Sequence, residues 1–269
     1  MRLAPPDMWG GRAEMKEDVA MKFDRKIAEK SDMSIYRDGD RRIKLFCKEY
    51  SKSDVLIEAL NQARMEEVRV RVPKIFEVAE IDGQWAFASE FIEGKTLADL
   101  MEEHPEKKSE YMDLFVDLQI GVHAKSCPLL NKLKDQMSRE IADTDLDATT
   151  RYDMHIRLEA MPKHNKVCHG DFTPANIVIN EEGDAYILDW AKATQGNASA
   201  DVANTYLLLC LSGDFELAEL YLEAFCKKSD TPKRYVQKWL PMVAAAQTLN
   251  ADDHERELLM KWVSIVDEQ

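Results

Sequence analysis

The chain has 269 residues, 45% of them hydrophobic and 32% charged, with a formal net charge of -14. That length suits one large domain or two lobes sharing a cleft and excludes a small stapled scaffold. The acidic balance argues against a nucleic-acid backbone as the main partner, and apolar runs such as YLLLCL at 206–211 are too short to span a bilayer.

The five cysteines, Cys47, Cys127, Cys168, Cys210 and Cys226, form no C-x-x-C pair. They read as reduced thiols in a cytoplasmic protein, and the N-terminus lacks an apolar signal core.

Residues 1–20 carry early Pro and Gly and then mixed charge, which predicts a loose lead-in followed by a short helix. From 25 to 47 two β-like runs flank Asp38-Gly39, a favoured two-residue hairpin turn. SDVLIEALNQARMEEV at 53–68 then predicts an amphipathic helix with Val55, Leu56, Ala59, Leu60 and Ala63 on one apolar arc. Strand-like alternation follows from 69, turns at Asp82-Gly83 and ends near Gly94. Helical patterns dominate after 96, apart from one stretch. This composition shift divides the chain into a lead-in at 1–20, a small β-rich lobe with one helix at 21–94 and a larger, mostly helical lobe at 95–269.

The exceptional stretch reads VCHGDFTPANIVINEEGDAYILDW over 167–190. Ile177 to Ile179 and Tyr186 to Leu188 are short apolar strands around a turn at Gly183, so they predict an antiparallel hairpin. Asn176 and Asp189 lie equally far from its midpoint, which places an amide oxygen and a carboxylate at one end. Hard oxygen ligands of this kind suit Mg²⁺. Asp171, in the loop just before, is placed to accept a proton from an incoming hydroxyl. The bland alternative is that these residues cap turns and end a strand.

HGDFTPANIVI followed by YILDW resembles the aminoglycoside phosphotransferase and choline kinase superfamily, small-molecule kinases that share the protein-kinase fold. The resemblance runs from about Ile27 to about Leu209. It implies an α+β, protein-kinase-like two-lobe fold that moves the γ-phosphate of ATP or GTP to a hydroxyl of a small molecule. Asp171 then corresponds to the catalytic aspartate, Asn176 and Asp189 to the ligands of Mg²⁺, and His169 to a supporting residue of the catalytic loop. Gly196 and Asp201 resemble a segment that buttresses this loop. His123, in IGVHAK, reads as a satisfied structural group.

RRIKLF resembles the strand that carries a phosphate-binding lysine, here Lys44, with Glu58 of the next helix as its ion-pair partner. Lys44 alternates against Ile43 and Leu45 and so faces the other way from them. SEFIEG resembles the hinge between lobes, where the backbone around Glu90 and Ile92 would bond a nucleotide base. The turn AEKSDMS lacks the glycines that protein kinases place over the phosphates, which leaves Ser31 or Ser34 as hydroxyl donors.

The resemblance reports the phosphate end of the reaction and not the acceptor end. Acidic segments at 142–147 and 251–257 are consistent with an aminoglycoside-like or choline-like cation as acceptor, or with plain solvated faces. The contrasting reading is a catalytically inert nucleotide-binding module.

Overall fold

The computed structural model describes residues 21, 23–30 and 32–265, so the lead-in expected at 1–20 and Ser31 lie outside the described residues. Strands β1 (Arg25–Glu29), β2 (Met33–Asp38) and β3 (Arg41–Phe46) precede helix α1 (Lys52–Glu67), and β4 (Ile75–Ile81) and β5 (Gln84–Glu90) follow it. They form an antiparallel sheet in the order β1-β2-β3-β5-β4.

The two hairpin turns come out differently. Asp82 and Gly83 both take positive φ, 52° and 78°, the requirement of a type I′ loop, as the Asp-Gly pair predicts. In the β2–β3 hairpin, Asp38 pairs with Arg41, so the two loop residues are Gly39 and Asp40 rather than Asp38 and Gly39. Only Gly39, at the first loop position, has positive φ, which is the type II′ pattern.

Helix α1 is capped by Ser51, whose side chain accepts from the Ser53 amide. Its buried face is not the expected apolar arc. Val55, Glu58, Asn61, Gln62 and Met65 point inward, while Leu56 and Leu60 are 44% and 48% exposed. The inward polar groups have specific partners: Gln62 donates to the Pro73 carbonyl (2.7 Å) and Asn61 to the Trp190 carbonyl (3.1 Å). Val55 packs with Phe46 and Phe87 beneath the sheet, while Ile43, Ala86 and Ala88 form the core on its other side.

Beyond the sheet, β6 (Gly94–Thr96) leads into α2 (Leu97–Glu103), α3 (Lys108–His123), β7 (Asn131–Lys132), α4 (Leu133–Asp143) and α5 (Ala148–Ala160). Then come β8 (Lys166–Cys168), β9 (Ile177–Asn180), β10 (Ala185–Ile187), β11 (Thr194–Gly196), α6 (Ala198–Leu211), α7 (Phe215–Ser229), α8 (Lys233–Gln237), α9 (Leu240–Gln247) and α10 (Asp253–Val263). Strands β10-β9-β6 and β7-β11-β8 make two small sheets within this helical part. Helix α9 buries every residue from Leu240 to Ala246 and is surrounded by α4, α5, α6 and α10. It is apolar all round because no side of it meets water.

Thr96 ends β6 and caps α2 with a reciprocal Thr96–Asp99 capping box. Close beside it, Gly94 pairs with Asn180 of β9, and a methyl group on Gly94 would strike the Ile179 carbonyl. Gly94→Ala is therefore expected to lower the melting temperature by roughly 4–8 °C, the effect of about 2 kcal/mol in a chain of this size. Thermal unfolding followed by circular dichroism checks this.

Candidate active site

Lys44 lies on the central strand β3, and its ammonium is only 3% exposed. It sits 2.5 Å from Glu58 Oε1 and 2.6 Å from Asp189 Oδ1. Strand alternation turns Lys44 toward α1 and away from Ile43 and Leu45, and the polar face of α1 brings Glu58 to meet it. A buried ammonium needs such pairing, because removal from water costs several kcal/mol per ion. If Lys44 and Glu58 act as a unit, Lys44→Ala and Glu58→Ala should show non-additive losses in nucleotide affinity, with a coupling energy of about 0.5–3 kcal/mol. A double-mutant cycle by nucleotide titration measures it; simple additivity would sink the pairing as a functional one.

Asp189 draws three cations. Besides Lys44, Arg42 approaches Oδ1 at 3.5 Å and Lys30 approaches Oδ2 at 3.7 Å. Burial pushes its carboxyl pKa up, but the charges of Lys44, Arg42 and Lys30 outweigh that and hold it well below the usual carboxylate range. Arg42 and Lys30 escaped the sequence reading. Arg42 lies two residues before Lys44 on one strand and so shares its face, a signal that strand periodicity does contain. Lys30 comes from the glycine-free turn between β1 and β2.

The loop after β8 carries the second half of the site. Nδ1 of His169 accepts from the Asp171 amide (3.1 Å), so Nε2 carries the proton and donates to the Leu188 carbonyl (2.9 Å). The ring is fully buried between Trp190 and Phe172. His169 therefore holds the loop to the end of β10 and does not meet a substrate. Gly170 has φ +81°, and a Cβ there would lie 2.5 Å from the Lys192 carbonyl oxygen, so only glycine fits.

Asp201 of α6 fixes this glycine. Its Oδ1 accepts the Gly170 amide (2.8 Å), and its Oδ2 accepts from His123 Nε2 (2.9 Å) and Gln119 Nε2 (3.2 Å). Burial raises the Asp201 carboxyl pKa, but the His123 and Gly170 hydrogen bonds more than offset it, and the net shift is downward. His123 is thus tied to Asp201 through Nε2, while its Nδ1 is buried with no hydrogen-bond partner among the described residues, so the ring is only half satisfied. Gly196 instead packs against Leu133 of α4. Asn204, also on α6, donates to the Gly170 carbonyl (2.8 Å) and accepts from Gln247 of α9 (2.6 Å).

Asn176 reaches back to Asp171, donating from Nδ2 to its carbonyl oxygen (2.9 Å) and to Oδ2 (2.8 Å). Its amide oxygen takes no part in these bonds. The hairpin register differs from the expected one. Ile177 pairs with Ile187, and the Leu188 amide donates to the Asn176 carbonyl (2.8 Å), so Asn176 lies opposite Leu188 and Asp189 is one residue further on. A one-residue slip would reverse the face of a strand residue. Asp189 escapes that consequence by leaving the strand in the left-handed region, φ 62°, from which its carboxylate meets Lys44.

Ser34 pairs with Leu45, and paired residues share a face, so Ser34 lies on the side of the sheet away from Lys44. This corrects its expected place beside the phosphates. At the hinge, the Glu90 amide is committed to the Lys74 carbonyl (2.8 Å) and the Phe91 amide to the Asp40 carbonyl (2.7 Å). Among the described residues the Ile92 backbone makes no hydrogen bond, so its N–H and C=O remain available.

A Mg²⁺ ion would suit the donors present. The Asp189 carboxylate and the Asn176 amide oxygen, which is left out of the Asn176–Asp171 bonds, are hard oxygen donors of the kind Mg²⁺ takes. Among the described residues no group of three or more His, Cys, Asp or Glu side chains is poised for a metal.

A β-sheet lobe with a buried Lys–Glu pair is joined to a helical lobe with an Asp–Asn loop and an aspartate-ended hairpin, the arrangement of a kinase-like fold. A family model described as phosphotransferase enzyme family matches residues 36–236, and the chain belongs to that family. No curated protein matches the chain.

Among solved structures, aminoglycoside phosphotransferase APH(4)-Ia superposes with a TM-score of 0.66 at 14% identity, covering 88% of this chain and 90% of that one. Choline kinase LicA from Streptococcus pneumoniae gives 0.62 at 13% identity, covering 89% and 91%. A choline/ethanolamine kinase family protein from Mesorhizobium loti gives 0.60 at 14% identity, covering 94% and 92%. At such identities the likeness carries the two-lobe α+β fold alone.

Proposed function

We propose that this chain transfers the γ-phosphoryl group of ATP or GTP to a hydroxyl of a small molecule. The observation that carries the reading is the buried Lys44 ammonium held between Glu58 and Asp189, at 2.5 and 2.6 Å. Lys44 positions the nucleotide phosphates, the Ile92 backbone meets the base edge, and Asn176 and Asp189 hold the Mg²⁺. With Mg²⁺ bound, charge on the β- and γ-phosphate oxygens is neutralised. An aminoglycoside phosphotransferase of this fold has been solved with AMP-PNP and hygromycin B, which supports ATP as the donor here.

Asp171 orients the acceptor. Its Oδ2 is occupied by the Asn176 amide nitrogen, which leaves Oδ1 to take the proton of the incoming hydroxyl. The acceptor oxygen bonds to the γ-phosphorus, the bond from that phosphorus to the β,γ-bridging oxygen breaks, and the nucleoside diphosphate leaves with that electron pair. No covalent enzyme intermediate is needed.

The inert-module reading draws on the glycine-free turn, but Lys30 of that turn already reaches the phosphate end of the cleft. Sustained diphosphate release that depends on an added hydroxyl acceptor, measured by a coupled assay on the native chain, is the expected result. Mg²⁺–nucleotide binding without turnover on any hydroxyl acceptor would favour the inert module instead. Among the described residues no helix is long and apolar enough to cross a membrane.

A further inference from the structure

A cavity of about 230 Å³ opens against Gly170, the residue before Asp171. Its walls come from α4, α6, α9 and α10, with Met137, Leu208 and Val243 among its apolar residues. This is smaller than the ~300–1,000 Å³ of pockets that hold drug-sized ligands. It has room for a single sugar ring.

Four uncharged amides line it: Gln136, Asn204, Gln247 and Asn250. Each offers both donors and an acceptor, the pattern that matches hydroxyl groups. Among the described residues Gln247 Oε1 is buried without a hydrogen-bond partner. The three carboxylates in the lining, Glu140, Asp201 and Glu255, are otherwise engaged, Asp201 by Gly170, His123 and Gln119. Glu140 accepts from Gln136 (3.0 Å) and feels the charge of Lys192, another lining residue. Glu255 accepts the Asp252 amide (3.1 Å) in the capping box of α10.

Among the described residues no aromatic side chain lines the cavity, and so none of them supplies a ring face for a quaternary ammonium. The acid-rich segment at 142–147 serves elsewhere: Asp147 caps α5 and Asp145 pairs with Arg256 (2.7 Å).

We infer that the acceptor is a small uncharged polyol, a monosaccharide or a molecule of that size, bound by the Gln136–Asn204–Gln247–Asn250 amides beside Gly170. The inference rests on the phosphotransferase reading. Gln247 contributes doubly, because its amide bonds Asn204, which in turn bonds the Gly170 carbonyl. An acceptor hydroxyl seated on Gln247 is thus registered to the loop that carries Asp171.

The test is a coupled diphosphate-release panel of aldopentoses, aldohexoses, inositols and glycerol against choline, ethanolamine and hygromycin B, with Mg²⁺–nucleotide binding measured by calorimetry on the same preparation. The expected result is highest kcat/KM for an uncharged polyol, with acceptor KM nearly constant between roughly 0.01 and 0.5 M salt. Asn250→Ala should then raise acceptor KM about tenfold at nearly unchanged kcat and nucleotide KM, since the loss is in ground-state acceptor binding. Preference for choline, ethanolamine or the aminoglycoside overturns the inference, and so does nucleotide binding with no polyol turned over; both leave the nucleotide site standing. Absence of nucleotide binding fails the phosphotransferase reading itself.

Discussion

Asp171→Asn is expected to lower turnover by roughly 10²-fold or more while nucleotide affinity stays near that of the native chain. The substitution preserves the side-chain shape, and Asn176 can still bond the retained amide oxygen at Oδ2. What it removes is the oxygen left free by Asn176, the one assigned to the acceptor proton. The Asp171 backbone amide, which bonds His169, is unaffected by the change, so the loop keeps its course. Steady-state kinetics with the preferred acceptor, paired with a nucleotide titration, separates the two effects. Near-native turnover in this variant would remove Asp171 from the chemical step.

Asp189→Ala is expected to abolish the Mg²⁺ dependence of nucleotide binding. Its metal-free behaviour gives a sharper signature. Asp189 is the shared counter-ion of Lys30, Arg42 and Lys44, so its loss leaves three cations facing the incoming phosphates. Nucleotide binding without Mg²⁺ should hold or strengthen relative to the native chain, whereas added Mg²⁺ should no longer improve it. Asn176→Ala should weaken the Mg²⁺ response less, since an amide oxygen carries no net charge. A nucleotide titration with and without Mg²⁺ reads both variants. An unchanged Mg²⁺ response in Asp189→Ala would place the metal elsewhere.

Where local chemistry and fold agree, the sequence was readable. Asp82-Gly83 demands positive φ twice and receives it. The direction of Lys44 was legible through strand alternation, because it lies between Ile43 and Leu45 and so faces away from both. Helix α1 was not. Its apolar arc failed because Glu58, Asn61 and Gln62 are drawn inward by Lys44, Trp190 and Pro73, contacts that lie far away in the chain or across a sheet edge. A hydrophobic pattern reports the average cost of exposure and cannot anticipate a buried ammonium that needs a carboxylate.

The hairpin at 177–187 was found, but its register was one residue off. Counting from a turn midpoint assumes a symmetric loop, and the left-handed turn at Asp189 is invisible in the text of the sequence. The cavity beside Gly170 was equally hidden, since Gln136, Asn204 and Gln247 come from three helices that only the packed core brings together.

The amide chain from Gly170 through Asn204 to Gln247 also constrains how this protein can diverge. A substitution at Gln247 that admits a new acceptor simultaneously slackens the support of the phosphoryl-transfer loop, so its benefit depends on what occupies position 204. Asn250 and Gln136 make no such link to Gly170. On the proposed acceptor site, positions 136 and 250 can therefore change one at a time, while the effect of a change at 247 depends on the residue at 204.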